Sequence, residues 1–337
     1  MIITSNRKFG VEIEFFCPTR KLLSRVSDML TVVRDGSLDR VPNAGEYVSS
    51  ILMGEVGEKR LVRACEILKK AHACGDDTAM SVHIHLDGRK SEPATLLSSS
   101  VRPPEQDVPS GEVICVSNKL ERKLGNLGIR GLLSGVCFDS LNKRVFSDIA
   151  YYSLGEITEQ PTKNFTFYWL NKEARFKWLR NVLFFYTLYN DVMENMVSNS
   201  RKFGNMYCTP LGVSYNLEEI RCAKNMEQLK AVWYKNSESS SHYDNSRYHN
   251  VNLHSFWNRH GTVEIRSHGG TIDPYKILLW VRLHQKIMDK LEDMEIADLE
   301  LEDGADVYRE FLKFIEEPIL QSYVKRLLGF YSNIIIK

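Results

Sequence analysis

The chain has 337 residues, enough for one large or two modest domains with a sizeable buried core. Its hydrophobic content of 43% and charged content of 26% are those of an ordinary globular protein. A formal net charge of +1 supplies no global pull toward nucleic acid or an anionic membrane, so neither is expected as a partner.

Seven cysteines without C-x-x-C spacing read as reduced cytosolic thiols, not as a disulfide framework or a zinc cluster. The opening MIITSNRKFG lacks the apolar stretch of a secretory signal. No run approaches the roughly 18 apolar residues that span a bilayer. A cytoplasmic protein is therefore expected.

In chain order, residues 9–17 predict a strand and 21–33 leave room for a short helix. Val32 to Leu38 reads as a short strand running into an Asp-Gly turn, and 45–51 as the next strand. Over 57–73, Leu61, Ala64, Cys65, Leu68 and Ala71 recur at helical steps, with Gly75 as the glycine just past the helix end. Residues 80–87 predict another strand. The Ser- and Pro-rich stretch 88–112 reads as a long loop and a candidate lid, and 113–170 as short strands, among them 112–116 and 165–169.

A broad apolar stripe predicts a helix over 172–197. A second runs over 217–235, where Asn216 and Glu219 have the spacing of a capping box. Residues 236–246 are a polar loop, and 247–256 and 261–268 read as paired strands joined by a turn near Asn258 to Gly261. Asp273 and Pro274 open a helix over 273–292. Two more follow at 305–316 and 318–329, and the apolar ending 331–337 is a last strand or a docked tail. Strands at 9–51, 80–87 and 247–268 with helices between give an α+β fold: a mostly antiparallel sheet with helices packed on one face.

Three of these strands carry chemistry on one face. Strand side chains alternate with a period of two. Val11, Ile13 and Phe15 therefore oppose Glu12 and Glu14; Val82, Ile84 and Leu86 oppose His83 and His85; Val263 and Ile265 oppose Glu264 and Arg266. If the strands share a sheet, its polar face holds three carboxylates, two imidazoles and a guanidinium, a set suited to divalent metal and phosphate. An ordinary solvated face also alternates, but it usually carries Thr, Lys, Ser and Gln. Asp35, in its Asp-Gly-Ser turn, is explained by the turn alone.

Taken together, FGVEIEF at 9–15, RDGSL at 34–38, GEYVSSIL at 45–52, VHIHLD at 82–87, SRKFGNMYCTPL at 200–211, RYHNVNLHSF at 247–256 and GTVEIRSHGGTID at 261–273 resemble the amidoligase family. That family belongs to the glutamine synthetase/glutamate–cysteine ligase superfamily of carboxylate–amine ligases. The resemblance covers most of 1–90 and 170–295, and implies a catalytic domain over 1–300, a divergent insertion at 88–165 and a helical extension at 301–337.

The resemblance implies a sheet curved into a half-barrel, with helices on its outer face and ATP with two or three Mg²⁺ on its concave face (Mn²⁺ able to substitute). It implies that ATP phosphorylates a small-molecule or peptide carboxylate and that an amine then displaces the phosphate. By resemblance Glu12, Glu14, Glu46, His83 and Glu264 hold metal, and His85 lies near nucleotide or substrate. Arg266 clamps the transferred phosphate and Arg247 is a second candidate for phosphate or substrate. Asn252 and Thr271 are weaker candidates for substrate or nucleotide contacts. Superfamily members often form oligomers. Other readings of the same face are a metal-dependent hydrolase, a phosphotransferase of related fold, and a binding protein with a retained but inactive site. No Walker A pattern is present, and Gly269-Gly270 is only a weak phosphate-loop signal.

Overall fold

The structure is a computed structural model that describes residues 5, 7–75, 80–88, 96–97, 112–117, 149–153, 165–170, 172–202, 204–235, 237, 241, 244–258 and 261–336. Most of the 88–112 loop and of the 236–246 loop lies outside the described residues.

The strands are β1 (Phe9–Phe16), β2 (Val32–Val33), β3 (Ala44–Val48), β4 (Ser81–Asp87), β5 (Leu96–Leu97), β6 (Glu112–Ser117), β7 (Ile149–Ser153), β8 (Phe165–Leu170), β9 (Val251–Asn252) and β10 (Thr262–Gly269). One open sheet has the order β2-β3-β1-β4-β10-β9, antiparallel at every pairing. The strands expected at 112–116 and 165–169 are present and belong to a second antiparallel sheet, β5-β8-β6-β7.

The helices are α1 (Arg20–Ser27), α2 (Gly54–Lys70), α3 (Lys172–Leu188), α4 (Asn190–Asn195), α5 (Leu211–Ser214), α6 (Leu217–Cys222), α7 (Met226–Tyr234), α8 (His254–Asn258), α9 (Pro274–Glu292), α10 (Val307–Ile315) and α11 (Pro318–Ser332). Among the described residues, no helix is long and apolar enough to cross a membrane.

Alternation sets the two faces of the six-stranded sheet. Val11, Ile13, Phe15, Val82, Ile84, Leu86, Val263 and Ile265 are all fully buried. They form one core with Leu61, Cys65 and Leu68 of α2 and with Ile277, Val281 and Ile287 of α9. Each such side chain contributes about 1.5–3 kcal/mol on burial. Helix α9 lies directly on β4 and α2, and α3, α10 and α11 pack on α9 in turn. This leaves the opposite face of the sheet to the polar side chains.

Local chemistry fixes the helix ends. Asp273 accepts the Tyr275 amide at 2.9 Å, and Pro274 follows it at the first turn of α9, as expected. Helix α2 ends earlier than its pattern suggests. Its cap is Ala71, and His72 takes the left-handed conformation at φ 53°. Gly75 serves a different need, because its backbone lies against Thr271 and a Cβ on Gly270 would collide with the Gly75 carbonyl and with Met80. Gly270 thus has a packing reason of its own.

Two expected helices are each divided. The 172–197 stretch breaks at Tyr189, between α3 and α4. The 217–235 stretch breaks into α6 and α7, capped separately by Asn216, which accepts the Glu218 amide at 2.8 Å, and Asn225, which accepts the Gln228 amide at 2.9 Å. The Asn216 bond goes to Glu218, so the expected capping box with Glu219 does not form. The expected 247–256 strand shortens to β9, because Asn252 Oδ1 accepts the Ser255 amide and the chain turns into α8. The ending is a docked tail: Ile334 and Ile336 pack on the core after α11 closes at Asn333.

Candidate functional site

The register of β1 brings the polar side chains together. Glu12 pairs with His83 across β4, Glu14 pairs with Glu46 across β3, and Glu264 pairs with both His85 and Asn252. Two groups result. Ligand atoms of Glu12, His83 and Glu264 lie within 4.8 Å of one another, and so do those of Glu14, Asp35 and Glu46. Residues two apart on a strand are about 6.5–7 Å apart, so Glu12 and Glu14 fall into separate groups.

In the first group, His83 Nδ1 lies 3.2 Å from Glu12 Oε2 and 3.6 Å from Glu264 Oε1, and His83 Nε2 lies 3.0 Å from Ser81 Oγ. His85 Nε2 is 3.2 Å from Glu12 Oε1, and its Nδ1 is 3.0 Å from Thr262 Oγ1. Asn252 donates to Glu264 Oε2 at 2.6 Å, and Arg266 Nη1 donates to Glu264 Oε1 at 2.5 Å. A pocket of about 180 Å³, bounded by Lys8, Gly10, Ser49 and Thr262, opens beside Glu12 and His85.

These contacts set the charges. Burial alone would raise Glu12 and Glu264. The His85 and His83 imidazoles more than offset it for Glu12 and hold that carboxyl well below its usual range. For Glu264 the Arg266 guanidinium and the two histidines bring the value down to about 2. Burial would lower His85, but Glu12 and Glu264 push it up to about 9.

The second group behaves in the opposite way. Burial, then the nearby charges of Glu12, Asp35, Glu14 and Glu264, push Glu46 up to about 9. Glu14 is 5% exposed and accepts the Ser81 amide at 2.6 Å. Asp35 also caps its own turn, accepting the Ser37 amide at 3.0 Å and the Ser37 hydroxyl at 2.6 Å.

A bulge in β10 shapes the site. Ile265 pairs with Ile84 and His268 with Val82, so both Arg266 and Ser267 stand against His83. The extra residue leaves Arg266 on the acidic face, 8% exposed, with its Nε 3.4 Å from the Tyr207 carbonyl. It also turns His268 away from the acids and against Trp280 of α9, ring centroids 5.3 Å apart.

Glu12, Glu14, Glu46, His83, His85, Asn252, Glu264 and Arg266 thus come together as the strand alternation requires. Two expected residues lie elsewhere. Thr271 accepts the Asp273 amide at 3.1 Å and lines a separate cavity of about 830 Å³ with His268, Trp280, Tyr323 and Phe330. It follows the bulged end of β10, which carries it away from the acids. Arg247 sits in a turn before β9 with its guanidinium over the Tyr248 ring at 5.5 Å.

Three residues were missed as site residues. Asp35 was masked by its turn role. Ser81 precedes the H-x-H pair and holds Glu14 and His83. Arg201, 7% exposed, donates to the Met80 carbonyl in the field of Glu14. Its only signal in the sequence was its place in the 200–211 block.

Fold and site define an α+β protein with an open antiparallel sheet, one face of which gathers acids, imidazoles and buried guanidinium groups. A family model described as "putative amidoligase enzyme" matches residues 172–288, and over this region the motif resemblance is borne out. The match spans β9, β10 and the Arg201 segment, and it points to an amide-bond-forming ligase in general. No curated protein and no solved structure matches the chain.

Proposed function

We propose that this protein is an ATP- and Mg²⁺-dependent carboxylate–amine ligase whose six-stranded sheet forms the half-barrel of a glutamine synthetase-like catalytic fold. The observation that carries the reading is the pair of adjacent acid groups on one sheet face, bordered by buried Arg266, in a chain that matches the amidoligase family over 172–288. The donor set fits a hard divalent cation, since it offers five carboxylates and a single imidazole. Burial, together with the crowding of Glu12, Asp35, Glu14 and Glu264, drives Glu46 to about 9, as in a site short of positive charge. Glu12, His83 and Glu264 would hold one ion, and Glu14, Glu46 and Asp35 another. Bound Mg²⁺ would screen the charges of ATP and the substrate carboxylate; Mn²⁺ suits the same donors.

A carboxylate reacts poorly with an amine because oxide is a poor leaving group. In the proposed reaction a substrate carboxylate oxygen attacks the γ-phosphorus of ATP, ADP leaves, and an acyl phosphate forms. The amine then attacks the acyl carbon, inorganic phosphate leaves, and the amine gives up a proton. Arg266 would fork onto the transferred phosphoryl group, with the geometry a guanidinium has for phosphate oxygens. His85, 3.2 Å from Glu12 beside the ion held there, would lie near the phosphates or the substrate. Asn252 keeps Glu264 oriented through its 2.6 Å hydrogen bond. A small-molecule or peptide carboxylate and an amine are the partners.

Isothermal titration with a non-hydrolysable ATP analogue, with and without Mg²⁺, tests this. The native chain should bind only with Mg²⁺, and a Glu12→Gln/Glu264→Gln variant should lose that binding. A folded native chain that binds no nucleotide would end the ligase reading and favour a metal-dependent hydrolase. Nucleotide binding with ADP release but no amide product would favour a phosphotransferase.

A further inference from the structure

Arg201 is costly where it stands. Among the described arginines, three are buried: Arg7, Arg201 and Arg266. Arg7 pairs with Asp289 and Glu292, and Arg266 pairs with Glu264. Among the described residues no carboxylate forms an ion pair with Arg201, though Glu14 lies in its field, and its buried Nε has no hydrogen-bond partner. A buried guanidinium without a paired acid is strongly disfavoured, so its retention calls for a role.

The role lies in one peptide bond. Arg201 Nη2 donates to the carbonyl oxygen of Met80. The amide of the same peptide unit, Ser81 N–H, donates to Glu14 Oε2 at 2.6 Å. A carbonyl that accepts from a cation makes its own N–H a stronger donor, because hydrogen bonds in a chain polarise one another. Arg201, the Met80–Ser81 peptide and Glu14 therefore form a continuous three-part relay. The peptide is held on its other side as well: Gly269 pairs with Ser81, and the Gly270 backbone lies against Met80. It has little room to move, so a change at Arg201 passes to the Glu14 carboxylate.

We propose that Arg201 is a positioning residue for Glu14: through the Met80–Ser81 peptide it fixes the carboxylate that anchors the Glu14/Asp35/Glu46 cation site. This inference rests on the metal-dependent reading above. Arg201 itself touches neither the cation nor the substrate. Partners that orient a ligand from behind typically change metal affinity about 10–100-fold when removed.

Mn²⁺ binding followed by electron paramagnetic resonance tests the proposal without any turnover. In a Glu264→Gln background, which removes the neighbouring site, the Glu14 site is read alone. There, Arg201→Gln should weaken Mn²⁺ about tenfold or more, and Arg201→Lys, which keeps the charge and a donor, should restore part of the loss. In a Glu14→Gln background, where the Glu264 site is read alone, Arg201→Gln should change nothing. Unchanged affinity at the Glu14 site, or equal weakening of both sites, would overturn the proposal, the second outcome marking a general loosening of the fold. If Arg201→Gln does not fold, the lysine variant carries the same comparison between the two sites. A native chain that takes up no Mn²⁺ at all would instead overturn the metal-dependent reading.

Discussion

Glu46 concentrates the electrostatic tension of the site. Its carboxyl, pushed up to about 9 by burial and by four neighbouring acids, is protonated at neutral pH when no cation is bound. An acid whose folded value lies above its unfolded one loses stability as pH rises from about 4.5 toward 9, because the folded chain holds a proton that the unfolded chain has released. Glu46→Gln removes that cost. We expect it to stabilise the metal-free protein at pH 8 by about 2 kcal/mol after allowance for screening, and to flatten the stability profile between pH 5 and 9. The same variant should lose the cation at the Glu14 site. Urea denaturation across pH, with and without Mn²⁺, reads both effects. Glu12, Glu14, His83, His85, Glu264 and Arg266 were legible in the sequence because alternation within a strand is local. Asp35 and Arg201 were not, since each reaches the site from a turn and the sequence holds no period that says where a turn will land.

At the scale of the element, the bulge in β10 decides which side chains join the site. Strict alternation from Glu264 and Arg266 would set His268 among the acids. One extra residue opposite His83 reverses that and turns His268 toward the helices. There burial lowers its value to about 4, and burial in the same layer lowers His284, bonded to the Tyr186 hydroxyl at 2.6 Å, to about 3. Both are therefore neutral in the folded protein. Their contribution to stability is complete above the unfolded value of about 6.5 and is lost as pH falls from there toward 4 and 3, because the unfolded chain binds protons first. Each should cost about 1.4 kcal/mol per pH unit in that window. Denaturation at pH 7 and pH 5 should show a shallower fall for His268→Gln than for the native chain; an identical slope would refute the assignment. The divided helices follow a related logic. The apolar stripe over 172–197 stays continuous across Tyr189, so periodicity sees one helix where the chain makes two.

At the scale of the whole molecule, the sheet depends on ties that run between the ends of the chain. Arg7, just before β1, bonds Asp289 and Glu292 at the end of α9, caps the Asp87 carbonyl at the end of β4 and lies over the Trp178 ring of α3. Arg282 of α9 grips Glu58 of α2 with two nitrogens, at 2.8 and 2.5 Å. Removing one member of a buried pair leaves the other charge stranded. Arg7→Ala should therefore cost about 3 kcal/mol in denaturant unfolding, far more than a surface pair such as Lys59 with Glu55.

What the sequence determined by itself was the α+β class, the buried and polar faces of β1, β4 and β10, and the acids and histidines that share the polar face. Those follow from local rules: a strand alternates with a period of two, and an Asp-Pro pair starts a helix. What only the tertiary structure decided was the grouping of the carboxylates into two sets, the entry of Asp35 and Arg201, the separation of Thr271, and the turning of His268. Each depends on register, on a bulge or on a close backbone approach between segments far apart in the chain, which no local pattern encodes.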